Sequence, residues 1–460
     1  MWVCATPSPA TASSMPLATT KPTWPSRHRP GKPSRCNSPR GDTMTLQRRT
    51  LIQAASAAAV LGATGARFAN AQGAPVKVGA MLPMSGIGAE AGAAWLNGIK
   101  AAQLQWNANG GLLGRQIEIV VRDDKFSSAG AVSAAREMAG EGVNISIGAG
   151  QSPMALAIAP ILKELNSVVV APAPSVMSIT HENFSRNFFR LSSNALMLYG
   201  GIGNLMTTKF SDVKTWAVIA PDSENGRDVV RYFNKGVAQA AAKAGREVKV
   251  LEPVYASLNK ADYKIEINNL MNSGAEGLFV GLTAAPCVSL LQQGRAVGMD
   301  KKFKVIGEAG TELLIAKAMQ KSTPQNLWGV TFWAPELEPF KSQFPVSKQL
   351  SEYIQKVTGT PWVPGIVQAT HRSSLAIFNA IKKANSTETE AVIQALEGLQ
   401  FDTAAGPYRI RKEDHQGVGS FYFAKIGARD AAPGYGLEQV VRLDETEIVE
   451  PATPGKKYEG

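Results

Sequence analysis

The sequence predicts an α/β protein built from two doubly wound, Rossmann-like lobes. The first observation is that short β-branched runs alternate with helix-like segments from Val76 to about residue 310. Strands that alternate with helices form parallel sheets covered on both faces. The second observation is that the alternation comes in two series of about four strands, which indicates two lobes. The third is that 460 residues, 44% of them hydrophobic, are enough for two or three domains.

The first 71 residues differ from this alternation. Residues 1–43 are rich in Pro, Ser, Thr and Arg without a helical or strand period, so we expect them to be disordered. We interpret them as an over-extended reading frame, with Met44 as the true start. Residues 44–71 hold Arg48 and Arg49, an alanine-rich apolar run and an A-x-A ending, which predict a cleavable signal peptide of the twin-arginine kind. The alternative is a weak amphipathic N-terminal helix. We therefore expect export to the periplasm.

Most of the excess positive charge lies in the same segment. Residues 1–71 carry nine basic residues and one acidic residue, so 39 basic and 36 acidic residues remain, a net charge of +3. We therefore expect no nucleic-acid partner. No stretch after residue 72 has the ~18 uninterrupted apolar residues of a membrane span. Only Cys287 lies beyond residue 71, so neither an internal disulfide nor a cysteine-based metal site can form there.

The strand and helix patterns follow in order along the chain. Strands are predicted at 76–82, 116–124, 144–150 and 167–174, and in the second series at 216–222, 247–256, 277–283 and 302–310. Helices are predicted at 89–108, 127–141, 152–165, 225–244, 260–273 and 285–297, then in succession at 343–358, 366–384 and 387–398. Strand-like pieces punctuated by glycines follow, and this later part is expected to complete one lobe and return to the other. The tail from residue 451 is expected to be frayed.

Residue patterns for catalysis are weak. HExxH, GxSxG and Walker A patterns do not occur, and the Gly148-Ala149-Gly150 start of a dinucleotide loop fails at Pro153. Asp123-Asp124 is interpreted as a polar turn rather than a catalytic pair, His181-Glu182 as a polar loop rather than a metal site, and Cys287 as a buried inert thiol. We expect no metal, no cofactor and no enzyme activity.

The candidate site lies in the loops that follow the strands, because ligands of open α/β sheets bind at the carboxyl ends of strands. The stretch ISIGAGQS (145–152) ends a strand in glycines and a serine just before a helix. Such a junction directs backbone N–H groups and a hydroxyl at one point, which suits an anion. The alternative is a plain glycine-rich turn with an N-cap serine. The candidate loops are 83–91, 148–152, 171–175, 221–226, 283–286 and 307–311.

Four stretches carry a resemblance to a known family. They are VKVGAMLPMSGIGAEAG, NANGGLLGRQIEIVVRDD, GAGQS with VVVAPAPS, and GEAGTE. Together they resemble the periplasmic substrate-binding proteins of branched-chain amino acid (leucine/isoleucine/valine) ABC transporters, over nearly all of residues 76–445. The resemblance implies a type I periplasmic binding fold with three crossovers, in which 76–193 plus 333–418 form lobe 1 and 194–332 plus 419–450 form lobe 2. It further implies a small ligand trapped by hinge closure and an inner-membrane ABC permease as partner.

The resemblance also assigns ligand contacts. Ser152 falls at the serine that holds the ligand carboxylate, and Ala173 and Ser175 fall where an alanine carbonyl and a threonine contact the α-amino and carboxylate groups. Substitution of Ser152 by alanine is expected to weaken binding by roughly 1–3 kcal/mol with little change in ligand-free melting. The remaining assigned positions are Asn225, Ala284, Ala309 and Gly310 on the opposite lobe, with Ala91 and Trp95 on the first.

Several of these positions depart from the family. Ala91, Asn225 and the small residues near Ala284 stand where amino acid binders carry aromatic residues, and Ala309 stands where they carry the acid that receives the ligand ammonium. Glu308 comes one place earlier. Because an ammonium buried without a carboxylate is unfavourable, a free α-amino acid is less expected than the family label suggests. From the sequence, α-amino acids, aromatic or aliphatic carboxylates, and amides or ureas all stay open as ligands. The aromatic residues that could stack on an aromatic ligand are Trp95, Phe332 and Trp333, with core packing as the alternative.

Two other functions stay open from the sequence alone. One is a sensor that presents a bound ligand to a membrane receptor. The other is an exported enzyme, which the scarcity of a nucleophile–base pair disfavours.

Overall fold

Two sheets with helices on both faces organise the chain in the computed structural model. The residues that the structure describes are 73–257, 260–360, 362–430, 433–443 and 449–459. The predicted disordered extension (1–43) and signal peptide (44–71) lie outside them. Within these ranges no helix has both the length and the apolar character that a membrane crossing requires.

The first sheet has five parallel strands in the order β2-β1-β3-β4-β5. Strands β3 and β4 are short and fully buried, with Ser146 as their one polar residue, as expected for parallel strands covered on both faces. Helix α1 covers one face, and α2 and α3 cover the other. The strands are β1 (Val76–Leu82), β2 (Ile117–Asp123), β3 (Ile145–Ile147), β4 (Val168–Ala171) and β5 (Phe188–Arg190), and the helices are α1 (Ala89–Ala108), α2 (Ser128–Gly140) and α3 (Ser152–Ile158).

The second sheet has the order β16-β15-β11-β10-β9-β6-β7, with β8 also paired to β6. The predicted strand 247–256 is divided into β7 and β8, since Pro253 between them has no N–H to donate to a ladder. The strands are β6 (Thr215–Pro221), β7 (Lys249–Val250), β8 (Val254–Ala256), β9 (Gly277–Val280), β10 (Val305–Glu308), β11 (Leu327–Thr331), β15 (Phe421–Ala428) and β16 (Tyr435–Leu443). The helices are α4 (Gly201–Lys209), α5 (Glu224–Lys243), α6 (Lys264–Asn272), α7 (Ala284–Ala296), α8 (Met299–Lys302) and α9 (Leu313–Met319).

The later segment returns to the first sheet before it joins the second. Helix α11 packs on α1, and a small antiparallel sheet follows, joined to the edge of β5 by a bridge between Arg190 and Gln416. The elements are α10 (Pro345–Thr358), α11 (Val367–Ala384), α12 (Thr389–Leu396), β12 (Gln400–Thr403), β13 (Gly406–Ile410) and β14 (Gly417–Gly419). The chain thus crosses between the sheets three times: after β5, after β11 and before β15. Below, lobe 1 means the first sheet with α1–α3 and α10–α12, and lobe 2 the second sheet with α4–α9. The residue boundaries from the sequence stay a prediction.

The C-terminal segment 449–459 corrects the expectation of a frayed tail. Glu450 is fully buried and its carboxylate lies 2.8 Å from the Arg411 guanidinium in lobe 1. The Tyr458 ring stacks on the buried His181 of lobe 1 and also packs against the core of lobe 2. The docking could not be predicted from the sequence, because the segment is mostly polar and is anchored by one buried acid and one aromatic ring. The segment therefore straps the two lobes together.

Candidate functional site

A cavity of about 250 Å³ lies between the lobes at the carboxyl ends of their strands. Its apolar lining comes from Phe126, Met154, Leu282 and several prolines, and its polar lining is made of hydroxyls and amides. Among the described residues that line it, none carries a formal charge. The polar lining residues are Ser127, Ser128, Gln151, Ser152, Ser223, Asn225, Ser257, Tyr263 and Thr283.

Helix N-termini of both lobes meet at this cavity. Helices α2, α5 and α7, of 13, 20 and 13 residues, begin at or beside lining residues, and the shorter α3 begins at Ser152. Ser127 and Ser223 cap α2 and α5: the Ser127 hydroxyl accepts from the N–H of Gly130, and the Ser223 hydroxyl accepts from the N–H of Gly226. The cavity therefore faces several positive helix-dipole ends, and its described lining has no positively charged side chain.

Ser152 and Ser175 join the loops of lobe 1 to each other and to lobe 2. The Ser152 hydroxyl accepts hydrogen bonds from the backbone N–H groups of Ser175 and Val176, both at 3.2 Å. The Ser175 hydroxyl donates to the side-chain oxygen of Asn225 (2.8 Å) and lies 3.1 Å from the Tyr199 hydroxyl. Two positions assigned by resemblance, Ser152 and Asn225, thus line the cavity, and Ser175 holds Asn225 in place.

This geometry revises the expected effect of Ser152→Ala on the ligand-free protein. The substitution leaves two buried N–H groups without an acceptor, and each unmet buried donor costs about 1–3 kcal/mol. We expect the free energy of unfolding without ligand to fall by about 2 kcal/mol or more, measured by chemical denaturation. Ser133→Ala on the exposed face of α2 is the matched control. Equal stability of the two variants would contradict the contacts described here.

The other assigned residues lie farther from the cavity lining. Ala284 follows the lining residue Thr283, and its N–H donates to the hydroxyl of Thr311. Ala173 is half-buried against the core. Neither these two nor the other four line the cavity: Ala91 is buried in lobe 1, Trp95 beside it, Ala309 in the core of lobe 2, and Gly310 next to the Phe332 ring. Their part in ligand binding stays a prediction.

The aromatic residues named from the sequence do not line the cavity. The Trp95 ring packs so tightly on Gly150 that a Cβ there would lie 2.2 Å from it, which explains this glycine of the ISIGAGQS stretch. Trp333 is buried and donates to the Ser347 hydroxyl. The aromatic lining comes instead from Phe126 and Tyr263, which sequence reasoning missed because neither belongs to a loop named as a candidate.

Two buried carboxylates near Ala309, Glu308 and Glu312, are not among the lining residues of the cavity. Glu308 is fully buried and accepts hydrogen bonds from the N–H groups of Gly310 and Thr311, and burial raises the pKa of Glu308 to about 7. Glu312 accepts from the N–H groups of Phe332 and Gly365, both at 2.7 Å, and burial raises its pKa to about 8. Both acids stabilise backbone near the second crossover. Glu312 was not singled out in the sequence because its partners lie 20 and 53 residues away.

The remaining chemical candidates of the sequence have structural partners. The Asp123 carboxylate accepts from the N–H groups of Met84 and Lys125, and Asp124 accepts from Phe126, which is the polar turn that was expected. Cys287 is buried, which raises its pKa. Among the described residues no three His, Cys, Asp or Glu side chains are grouped as a metal site.

A larger depression of about 370 Å³ also lies between α1 and α9. Its rim is crossed by an ion pair of Glu90 with Lys317 (2.6 Å). It shares no described lining residue with the smaller cavity, and the starts of α2, α5 and α7 do not line it. We therefore place the candidate site in the smaller cavity, called the cleft cavity below.

Comparison with known proteins decides the family. Residues 75–431 match the family described as periplasmic binding protein. The chain belongs to this family. A leucine-, isoleucine-, valine-, threonine- and alanine-binding protein from Pseudomonas aeruginosa is 24% identical over 334 residues, which are 72% of this chain and 84% of that protein. The resemblance seen in the sequence is thereby confirmed.

Solved structures confirm the type I periplasmic binding fold of two Rossmann-like lobes. One is a solute-binding protein of an ABC transporter from Rhodopseudomonas palustris BisB5 in complex with 3,4-dihydroxybenzoic acid. It is 22% identical to this chain with a TM-score of 0.69, and the match covers 81% of this chain and 98% of that chain. Another is the branched-chain amino acid transporter substrate-binding protein of Streptococcus pneumoniae in complex with isoleucine. It is 16% identical to this chain with a TM-score of 0.68, and the match covers 80% of this chain and 99% of that chain. The family comprises solute-binding proteins that bind small ligands, and its name places it in the periplasm.

Proposed function

We propose that this periplasmic binding protein is the solute-binding component of an ABC importer. Its ligand is a small molecule with a carboxylate or amide head and no ammonium group, held in the cleft cavity by closure of the two lobes. The observation that carries this proposal is a cavity at three helix N-termini whose described lining has hydroxyls and amides but no charged side chain.

The head of the ligand is expected to face donors. N–H groups of the first helical turns and hydroxyls of lining serines donate hydrogen bonds, and the helix dipoles favour negative charge by roughly 0.3–1 kcal/mol each. Ser152 uses its oxygen as an acceptor for two N–H groups, so its O–H proton remains available for the ligand. A carboxylate or an amide oxygen fits such a set of donors.

An ammonium would lack a counter-charge in the cavity. Glu308 and Glu312 are committed to backbone N–H groups, and Glu224 and Asp228 contact Ser178 and the N–H of Met177 across the lobes. A buried charge without a partner is strongly unfavourable. A free α-amino acid is therefore disfavoured, although relatives of this chain are named for binding amino acids.

The body of the ligand is expected to be apolar and of modest size. Phe126, Met154 and Leu282 offer apolar surface to a ring or a short aliphatic chain, and about 250 Å³ admits a small molecule. The structural relative bound to 3,4-dihydroxybenzoic acid shows that the same fold accommodates an aromatic acid. Aromatic carboxylates are thus the first class to test.

Contacts across the lobes support capture by closure. The Ser175–Asn225 and Ser178–Glu224 hydrogen bonds, at 2.8 and 2.9 Å, join loops of lobe 1 to the start of α5 in lobe 2. Ligand exchange requires these polar contacts to separate, and hinge motion at the three crossovers allows it. Export through a signal peptide within 44–71 and delivery to an inner-membrane permease complete the proposal.

The test is a thermal-shift and calorimetric screen of residues 72–460 after refolding to remove carried-over ligand. Benzoate, 4-hydroxybenzoate and benzamide are compared with benzylamine, L-phenylalanine and L-leucine. A bound compound at about 100 times its Kd stabilises by about 2.7 kcal/mol, so its melting temperature rises. We expect stabilisation only by compounds without an ammonium.

The same screen separates the alternatives. Stabilisation by leucine or phenylalanine would show that an acid reaches the cavity and would overturn the proposed ligand class. Recovery of each bound compound unchanged excludes the exported enzyme, whereas its conversion would support it. A ligand-presenting sensor binds the ligand in the same way. Transport of the ligand into cells that lack the permease genes would favour the sensor, because uptake would then not depend on that permease.

A further inference from the structure

Helix α11 carries a buried guanidinium that no carboxylate in the described part of the chain balances. Arg372 is 7% exposed, and among the described residues no acid forms an ion pair with it. Its guanidinium lies 4.6 Å from the centre of the Tyr408 ring and makes one long contact, 3.4 Å, to the side-chain oxygen of Gln368. Burial lowers the pKa of Arg372, but a guanidinium stays protonated in proteins. A lone buried charge of this kind is unfavourable without a counter-charge.

Two unmet donors lie at the same place on the helix. Arg372 and Gln368 are four residues apart, so they share one face of α11. Arg372 Nε and Gln368 Nε2 are both buried and have no hydrogen-bond partner in the described part of the chain. Both atoms are donors only, so what is absent from their surroundings is an acceptor.

Arg372, but not Gln368, lines a small cavity where the three crossovers meet. The lining includes Ser193 from the first crossover, Thr331 at the end of β11 with Phe332 from the second crossover, and Ser420 from the third. The cavity measures about 20 Å³, which is room for one atom-sized guest. A carboxylate, sulfate or phosphate is too large for it, and a water molecule would leave the charge unbalanced.

We propose that this cavity is a binding site for a monatomic anion of the size of chloride. The ion pairs with the Arg372 guanidinium and touches all three connections between the lobes. It therefore fixes their relative positions and stabilises the hinge. This site is separate from the cleft cavity, and the inference does not depend on the ligand proposed there.

The direct test uses bromide in place of chloride. Crystals of the wild-type protein grown in sodium bromide are expected to show an anomalous peak in contact with the Arg372 guanidinium. A cavity that holds water alone, or no density, in the presence of bromide overturns the proposal. This measurement uses the unmodified protein, so it stands even if a variant at Arg372 fails to fold.

The second test measures stability against chloride at constant ionic strength, with gluconate, which is too large for the cavity, as the replacement anion. Between about 2 mM and about 200 mM chloride the melting temperature of the wild type is expected to rise by about 3 °C. Arg136→Gln, at an exposed arginine of α2, should keep this rise. Arg372→Gln should lose it, because the charge that holds the ion is gone. Equal chloride dependence in the two variants overturns the proposal.

Discussion

Asn225→Asp is expected to weaken binding of an aromatic carboxylate by about 100-fold. The substitution keeps the shape of the side chain and the oxygen that accepts from the Ser175 hydroxyl. It adds a negative charge to a cavity whose described lining residues carry none. Two like charges about 4 Å apart repel by about 4 kcal/mol at an effective dielectric constant of about 20, and partial solvation of the ligand reduces that figure. Isothermal titration calorimetry with benzoate or 4-hydroxybenzoate measures the change.

The ligand-free stability of this variant should stay close to that of the wild type, because an acid in the first turn of α5 is favoured by the helix dipole. Asn272→Asp, at an exposed position near the end of α6, makes the same chemical change outside the cavity and should leave affinity unaltered. Unchanged affinity of Asn225→Asp for a carboxylate would place the ligand head elsewhere. A gain in affinity for benzylamine would support the electrostatic reason directly.

Glu450→Ala is expected to lower the free energy of unfolding by about 3 kcal/mol, since it removes one partner of a buried ion pair. The Glu450 side chain is fully buried, and Arg411, which it contacts at 2.8 Å, is 9% exposed. Loss of the carboxylate leaves Arg411 with Asp414 and the backbone carbonyl of residue 450, and it weakens the anchor of the strap that also holds Tyr458 against His181. Denaturant unfolding followed by tryptophan fluorescence measures the loss.

Glu459→Ala is the control for this variant, because it removes an exposed acid from the same segment. Its free energy of unfolding should stay within about 0.5 kcal/mol of the wild type. If Glu450→Ala is as stable as Glu459→Ala, the C-terminal segment does not dock as described. Burial lowers the pKa of His181, so the stacking of Tyr458 on His181 does not rely on a charged imidazole at neutral pH.

Most helices could be predicted because their apolar period and capping residues are local. The expected helix 89–108 coincides with α1, and 285–297 differs from α7 by one residue at each end. The last parallel strand of each sheet in chain order, β5 and β11, was missed. Each is a short run, three residues in β5 and five in β11, whose place in a sheet depends on distant partners.

The candidate site was predictable only in part. The loops that follow β3 and β6 pointed to Ser152 and Asn225, because ligand sites of such sheets lie at strand ends. Phe126 and Tyr263 were not found, since nothing in their own neighbourhood shows that α2 and α6 start beside the same cavity. The contact between Glu450 and Arg411 could not be predicted from the sequence either, because 39 residues separate the two partners.

The burial of Cys287 makes the protein convenient for site-specific labelling. It is the one cysteine in the sequence beyond residue 71, and its thiol is fully buried with a raised pKa. A maleimide dye therefore needs no removal of a native thiol before a new cysteine is introduced. Ser257 is exposed and also lines the cleft cavity, so a fluorophore attached there would sit at the mouth that the ligand enters.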